Sequence, residues 1–140
     1  MAKYLGLDLG NRTCGIAVSD QQGIIATGVE TYRFKEKDLQ SVLNYVKILA
    51  EERKIDVIVL GLPKNMDGTL GFQAQYVLEF KAMLENLDFN VDTFDERLTT
   101  MQVNKVMIDA DLSRKKRKQQ VDKLAAVVIL QSYLDRLNKK

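Results

Sequence analysis

Asp8, the adjacent pair Asp95 and Glu96, and Asp122 are the residues best suited to carry chemistry in this 140-residue chain. Asp8 stands between Leu7 and Leu9, with Gly6 and Gly10 just outside them. A charge set in an apolar strand is costly unless it is paired or holds a metal. The chain has no histidine and a single cysteine, Cys14. That excludes Ser-His-Asp and Cys-His nucleophile pairs, His-ligated metals, Cys-rich zinc cages and an internal disulfide. Catalysis is left to carboxylates, hydroxyls, Lys, Arg, backbone groups or a metal held by oxygen. Three carboxylates brought together would repel one another, and a divalent cation relieves the repulsion. Oxygen-only ligation suits Mg²⁺ or Mn²⁺. Two such ions about 3.5–4 Å apart can activate water and stabilise the leaving oxygen in phosphodiester cleavage.

The second feature is a run of five bases, Arg114, Lys115, Lys116, Arg117 and Lys118. Removing these five from the 21 basic residues leaves 16 against 19 acidic ones, so the rest of the chain is mildly acidic. Such a block suits phosphate binding, which makes affinity salt-dependent. Lys64 and Asn65, in the loop 61–69, are further candidates to meet substrate, as is Arg97. Each feature also has a structural reading. Asp8 can cap a turn, Glu96 and Arg97 can form a local ion pair, Asp122 can favour a helix N-terminus, and the basic block can be a solvated loop.

The elements that must position these groups follow from periodicity. Residues 4–9 and 13–19 alternate as strands, and a turn at residues 20–23 leads to a third strand over 24–31. Residues 38–54 carry a helical apolar stripe, 57–60 form a buried strand, 72–86 a second helix and 89–94 a fifth strand. Residues 99–102 read as a capping box opening a short helix to about residue 108. A last helix over 121–137 has Asp122 in its first turn. The order predicts one α/β domain over 1–140. It is a five-stranded mixed sheet in which three antiparallel strands precede parallel crossovers, with helices on both faces. In open α/β sheets the ligand lies beyond the carboxyl ends of the parallel strands. Those ends carry Asp8, then 61–63, then 95–97. The longest apolar run, 124–130, is too short for a membrane span, and no signal-peptide core precedes Asp8. A soluble cytoplasmic protein that does not bind membranes is therefore expected.

Several segments together resemble the YqgF family. They are Gly6-Leu-Asp-Leu-Gly10, Gly15-Ile-Ala-Val-Ser-Asp20, Gly61-Leu-Pro-Lys-Asn-Met-Asp-Gly-Thr69, Asp95-Glu-Arg-Leu-Thr-Thr100, the basic block and Val121-Asp-Lys-Leu-Ala-Ala126. The resemblance runs over essentially the whole chain. It implies a ribonuclease H-like fold related to RuvC-type Holliday-junction resolvases. The implied activity is a nuclease acting on the 5′ end of precursor 16S rRNA, or a Holliday-junction resolvase. The family's acidic positions fall on Asp8, Glu96 and Asp122. Ribonuclease H enzymes proper have a mobile histidine near the site, which this chain lacks, so product release or leaving-group protonation is left to water or another group.

The expected partners are structured RNA, such as precursor rRNA, or branched DNA, with ribosomal particles in the first case. The state is a monomer or homodimer, and junction resolution would require the dimer. Two readings of other classes stay open. One is a non-catalytic nucleic-acid-binding module. The other is a sugar-kinase or actin-type ATPase, whose phosphate loop the Asp8-Leu-Gly10 hairpin resembles, although such proteins close two domains over their nucleotide.

Overall fold

The computed structural model describes residues 2–98 and 114–138, excepting the side chains of residues 98 and 114–123. The expected short helix over 99–108 lies outside the described residues. Five strands form one sheet: β1 (Tyr4–Leu9), β2 (Thr13–Ser19), β3 (Ala26–Arg33), β4 (Val57–Leu62) and β5 (Asn90–Asp95). Their order across the sheet is β3-β2-β1-β4-β5. β1 pairs antiparallel with β2, and β2 with β3; β1 and β4, and β4 and β5, pair parallel. This is the predicted mixed sheet, with its parallel half built from the first, fourth and fifth strands.

Helices cover both faces. α1 (Leu39–Glu52) and α2 (Phe72–Glu85) lie on one side, α3 (Arg114–Asn138) on the other. The alternation in β1 explains the layering. Leu5, Leu7 and Leu9 join Ile16, Ile58 and Leu60 in the core beneath α1 and α2, where Val42, Val46, Val77 and Phe80 are fully buried. The intervening positions face α3, where Ala17, Val59 and Phe94 meet Ala126, Ile129, Leu130 and Leu134. A Cβ at Gly6 would lie 2.7 Å from Leu130 Cβ and 3.3 Å from the Ala126 carbonyl oxygen. Glycine there lets α3 press directly onto β1. Among the described residues no helix is long and apolar enough to cross a membrane.

Several boundaries differ from the sequence reading, for local reasons. β3 begins at Ala26 rather than at residue 24, because the Asp20 carboxylate accepts from the backbone N–H of Ile24 at 2.7 Å and of Ile25 at 3.2 Å. It continues to Arg33, which pairs with Thr13. β4 runs on through Gly61 and Leu62 because β5 pairs with both. Asp38 caps α1, accepting from Ser41 N–H, rather than belonging to it.

The largest correction concerns the last helix. It starts at Arg114, so the basic block forms its opening turns and is not a loop, and Asp122 lies two turns inside rather than in the first turn. Arg, Lys and Gln are good helix formers, and no Gly or Pro interrupts residues 114–122. The apolar stripe starts only near Val121, which is why periodicity placed the start too late. A helix-terminus role for Asp122 falls with this correction, because the dipole acts within the first turn.

The Gly6 contact is with a Cβ and a backbone carbonyl, which cannot swing aside as a flexible side-chain end could. Gly6→Ala is expected to cost about 1–3 kcal/mol through overpacking, read as a lowered midpoint in urea with an unchanged slope.

Candidate active site

The carboxyl ends of β1, β4 and β5 lie side by side, and their residues meet there. β1 delivers Asp8 on the face that carries Gly6, the α3 face. Asp8 is paired with Gly15 of β2. The parallel register of β1 with β4 runs to Leu7 opposite Leu60, so one more step sets Asp8 beside Gly61. Gly61 in turn pairs with Phe94 of β5. Directly after β5, a turn of 3₁₀ helix, Glu96–Leu98, carries the chain back across the edge. It brings the Glu96 side chain over Gly61. A Cβ at Gly61 would sit 2.6 Å from Glu96 Oε1 and 2.5 Å from Ile129 Cδ1. The missing side chain is the space that Glu96 and α3 occupy.

Glu96 is hydrogen-bonded to Asp8, and both are half-buried. Burial pushes the Glu96 carboxyl up to about 9, helped by the Asp8 charge and the hydrogen bond to it, and by nearby Asp95. The pair therefore holds one proton between them at neutral pH, as two carboxylates in contact must when no cation separates them.

Asp122 approaches from α3. Tyr133 packs on Tyr4 with ring centroids 5.8 Å apart, and Leu130 and Ala126 lie over Gly6. The helix thus runs antiparallel to β1, and position 122, one turn before Ala126, lies toward the Asp8 end. The Asp122 side chain lies outside the described set, as do those of Arg114, Lys115, Lys116, Arg117 and Lys118. Among the described residues Asp8 and Glu96 are brought together, and no group of three candidate metal ligands occurs.

Arg97 does not pair with Glu96. Its guanidinium binds Asp95 through Nε at 2.8 Å and Nη2 at 2.6 Å, and its Nη1 donates to the Met66 carbonyl oxygen at 3.3 Å. Arg97 holds the Asp95 carboxyl below its usual range, so Asp95 stays ionised beside Glu96. The same arginine fastens the β4–α2 loop to the end of β5. Within that loop Asn65 bonds Thr69 at 2.9 Å and Asp67 accepts from the Thr69 hydroxyl at 2.7 Å, so Asn65 is largely engaged in shaping the turn. Lys64 is half-buried, near enough to Asp95 to help lower its carboxyl.

Three contributors escaped the sequence reading. Gly6 and Gly61 provide the space, and two glycines inside aliphatic strands were the available signal. Gln73, at the start of α2, donates to the Leu9 carbonyl oxygen at 3.2 Å, holding α2 against the residue after Asp8. No pattern in sequence announces a contact across 64 positions. Oxygen donors alone, buried and crowded, are the donor set of a hard divalent cation.

Comparison with known proteins places this chain in a family. The model described as "RuvX: Holliday junction resolvase" matches residues 2–136. The chain belongs to the RuvX family. This is the family to which the YqgF resemblance pointed. Similar proteins include those named "Putative pre-16S rRNA nuclease" from Clostridium kluyveri and Clostridium botulinum. Each is 49% identical over 138 residues, covering 98% of this chain and 99% of the relative. Among solved structures, the fowlpox virus resolvase with Holliday junction DNA aligns at TM-score 0.62 with 15% identity. It covers 98% of this chain and 99% of that one. Thermus thermophilus RuvC with its Holliday junction substrate aligns at TM-score 0.59 and 13% identity, covering 99% and 98%. At such identities the likeness establishes the fold, a ribonuclease H-like one, as the sequence predicted.

The shared proton carries a stability signature. The folded-state pKa of Glu96 stands above its ordinary 4.5, so folding retains a proton that the unfolded chain releases. That stabilisation is complete below about pH 4.5 and is lost as pH rises toward 9. Glu96→Gln keeps a neutral side chain throughout. In chelator, thermal melts should show it matching the parent near pH 4 and gaining as pH rises, by up to about 1.4 kcal/mol for each pKa unit of the shift. A constant offset across that range would contradict the paired site.

Proposed function

We propose that this RuvX-family chain is a divalent-cation-dependent endonuclease that trims the 5′ end of precursor 16S rRNA. The observation that carries the reading is the half-buried Asp8–Glu96 contact at the carboxyl edge of the parallel strands, an arrangement whose repulsion a cation relieves. The names of relatives 49% identical over nearly the whole chain support the substrate. Asp8, Glu96 and Asp122 would hold Mg²⁺ or Mn²⁺. When bound, a pair of such ions supplies positive charge to the phosphate and lowers the pKa of water.

The chain's own residues do the rest. The sheet edge holds Asp8 in place, and Gly61 leaves room for Glu96 to reach it. Arg114 to Lys118 would grip the substrate backbone at the start of α3, where helix N–H groups also favour anions. Lys64, Asn65 and Arg97 would border the same path, Arg97 chiefly by keeping the loop and Asp95 in position. Hydrolysis adds water across one phosphodiester: the P–O bond to the leaving nucleotide breaks and that oxygen takes a proton. With no histidine in the chain, that proton comes from water or another side chain. The expected setting is cytoplasmic, on precursor rRNA or ribosomal particles.

A second reading, resolution of four-way DNA junctions, is favoured by the family model's description. It needs two such sites in a symmetric dimer.

One assay separates the readings. Purified protein is offered a precursor rRNA leader and a four-way DNA junction, each with Mg²⁺ or Mn²⁺. The first reading expects cleavage of the leader, and Asp8→Asn should lower it by on the order of 10³-fold while the protein still melts cooperatively. Full cation-dependent cleavage by Asp8→Asn would overturn the site. Junction cleavage alone, by a protein that sediments as a dimer, would establish the second reading in place of the first.

A further inference from the structure

The acidic edge has a second neighbour, on the side of the sheet away from β4. The hairpin joining β1 to β2 and the loop following β3 enclose a cleft of about 540 Å³, lined by Asn11, Arg12, Thr13, Arg33 and Glu36. Two backbone hydrogen bonds build it. Phe34 N–H donates to the Arg12 carbonyl at 3.0 Å, and Lys37 N–H donates to the Asn11 carbonyl at 2.7 Å. Lys37 adopts a left-handed backbone, φ 57°, to make that turn. The cleft is thus a fixed feature of the sheet end.

Its charge is strongly one-sided. Arg12, Arg33, Lys35 and Lys37 are all exposed around it, against Glu36. Glu36 contacts Arg12 at 3.5 Å with both side chains more than half exposed, a pair of little strength. Arg33 makes no ion pair among the described residues.

Register sets its relation to Asp8. Directly opposed residues share a face of the sheet. Asp8 opposes Gly15, and Thr13, two positions along β2, opposes Arg33. Asp8, Thr13 and Arg33 therefore project from the same face, the one covered by α3. With strands ~4.8 Å apart and ~3.4 Å of rise per residue, the Cα atoms of Asp8 and Arg33 are about 12 Å apart. That separation reaches past the reacting phosphate to a neighbouring one on the same strand.

We infer that the Arg12–Arg33 cleft is a phosphate-binding subsite that holds a backbone phosphate neighbouring the bond at Asp8. The inference rests on the nuclease reading for its substrate and extends the grip to a second flank, opposite Lys64 and Arg97. Arg12 and Arg33 act by charge and forked hydrogen bonding on backbone oxygens. They read no base, so RNA and DNA backbones are held alike.

The test is equilibrium binding in the Asp8→Asn protein, by fluorescence anisotropy against salt, with a labelled RNA leader and a labelled four-way DNA junction. Arg12→Gln with Arg33→Gln should weaken whichever ligand binds by on the order of 10- to 50-fold at ~0.1 M salt. The slope of log K against log salt should shrink by about 1.4–1.8. Arg12→Lys with Arg33→Lys keeps the charge and should keep the slope, which separates lost contacts from lost folding. Glu36→Gln, freeing Arg12, should tighten binding. An unchanged slope in the double Gln variant overturns the subsite, as does absence of nucleic-acid binding by the starting protein. Binding that behaves as expected in a chain whose unmodified form cleaves neither ligand would sink the nuclease reading and leave the subsite standing.

Discussion

The structure depends on two carboxyl groups being forced together where the sheet offers little solvent. Asp8 cannot leave the edge, because the residues around it are locked in β1 between β2 and β4. Glu96 cannot leave either, because the 3₁₀ turn after β5 drops it into the space that Gly61 vacates. Their contact costs free energy in the folded chain and persists because the surrounding core stabilises the fold as a whole. In the proposed reading a cation would turn that cost into affinity.

The packing of α3 serves the same end. Gly6 and Gly61, on adjacent parallel strands, remove the side chains that would hold the helix off the sheet. Leu130 and Ile129 fill the gap, with Tyr133 against Tyr4 fixing the far end. The helix axis is thereby set antiparallel to β1, and its opening turns, rich in Arg and Lys, are carried out past the acidic edge. The core that stabilises the domain also aims the basic segment.

Around the carboxylates, charge is sorted by neighbours rather than by composition. Asp95 is neutralised by Arg97, which simultaneously ties down the β4–α2 loop, so this acid contributes shape and field rather than an open ligand. On the opposite flank Arg12 and Arg33 are left facing solvent across a shallow polar cleft. A nearly neutral chain thus presents a small acidic centre bordered by bases on two sides, the charge distribution on which the proposed grip of a polyanion rests.

Much of this was legible in the order of residues. Alternation in β1 and β2, the stripe of α1 and the buried run of β4 have local causes, so the elements and the mixed sheet type followed from short-range pattern. The absence of histidine and the single cysteine restrict any metal site to oxygen ligands. What sequence alone could not supply were relations between distant residues. The partner of Arg97, the helical state of the basic block, the contact from Gln73 to Leu9 and the alignment of Arg33 with Asp8 each depend on which surfaces meet. Periodicity reports which face of an element is buried, but not what lies against it. Only the closed tertiary structure, with two glycines absorbing a helix and a glutamate, decided that Glu96 should touch Asp8 and share its proton.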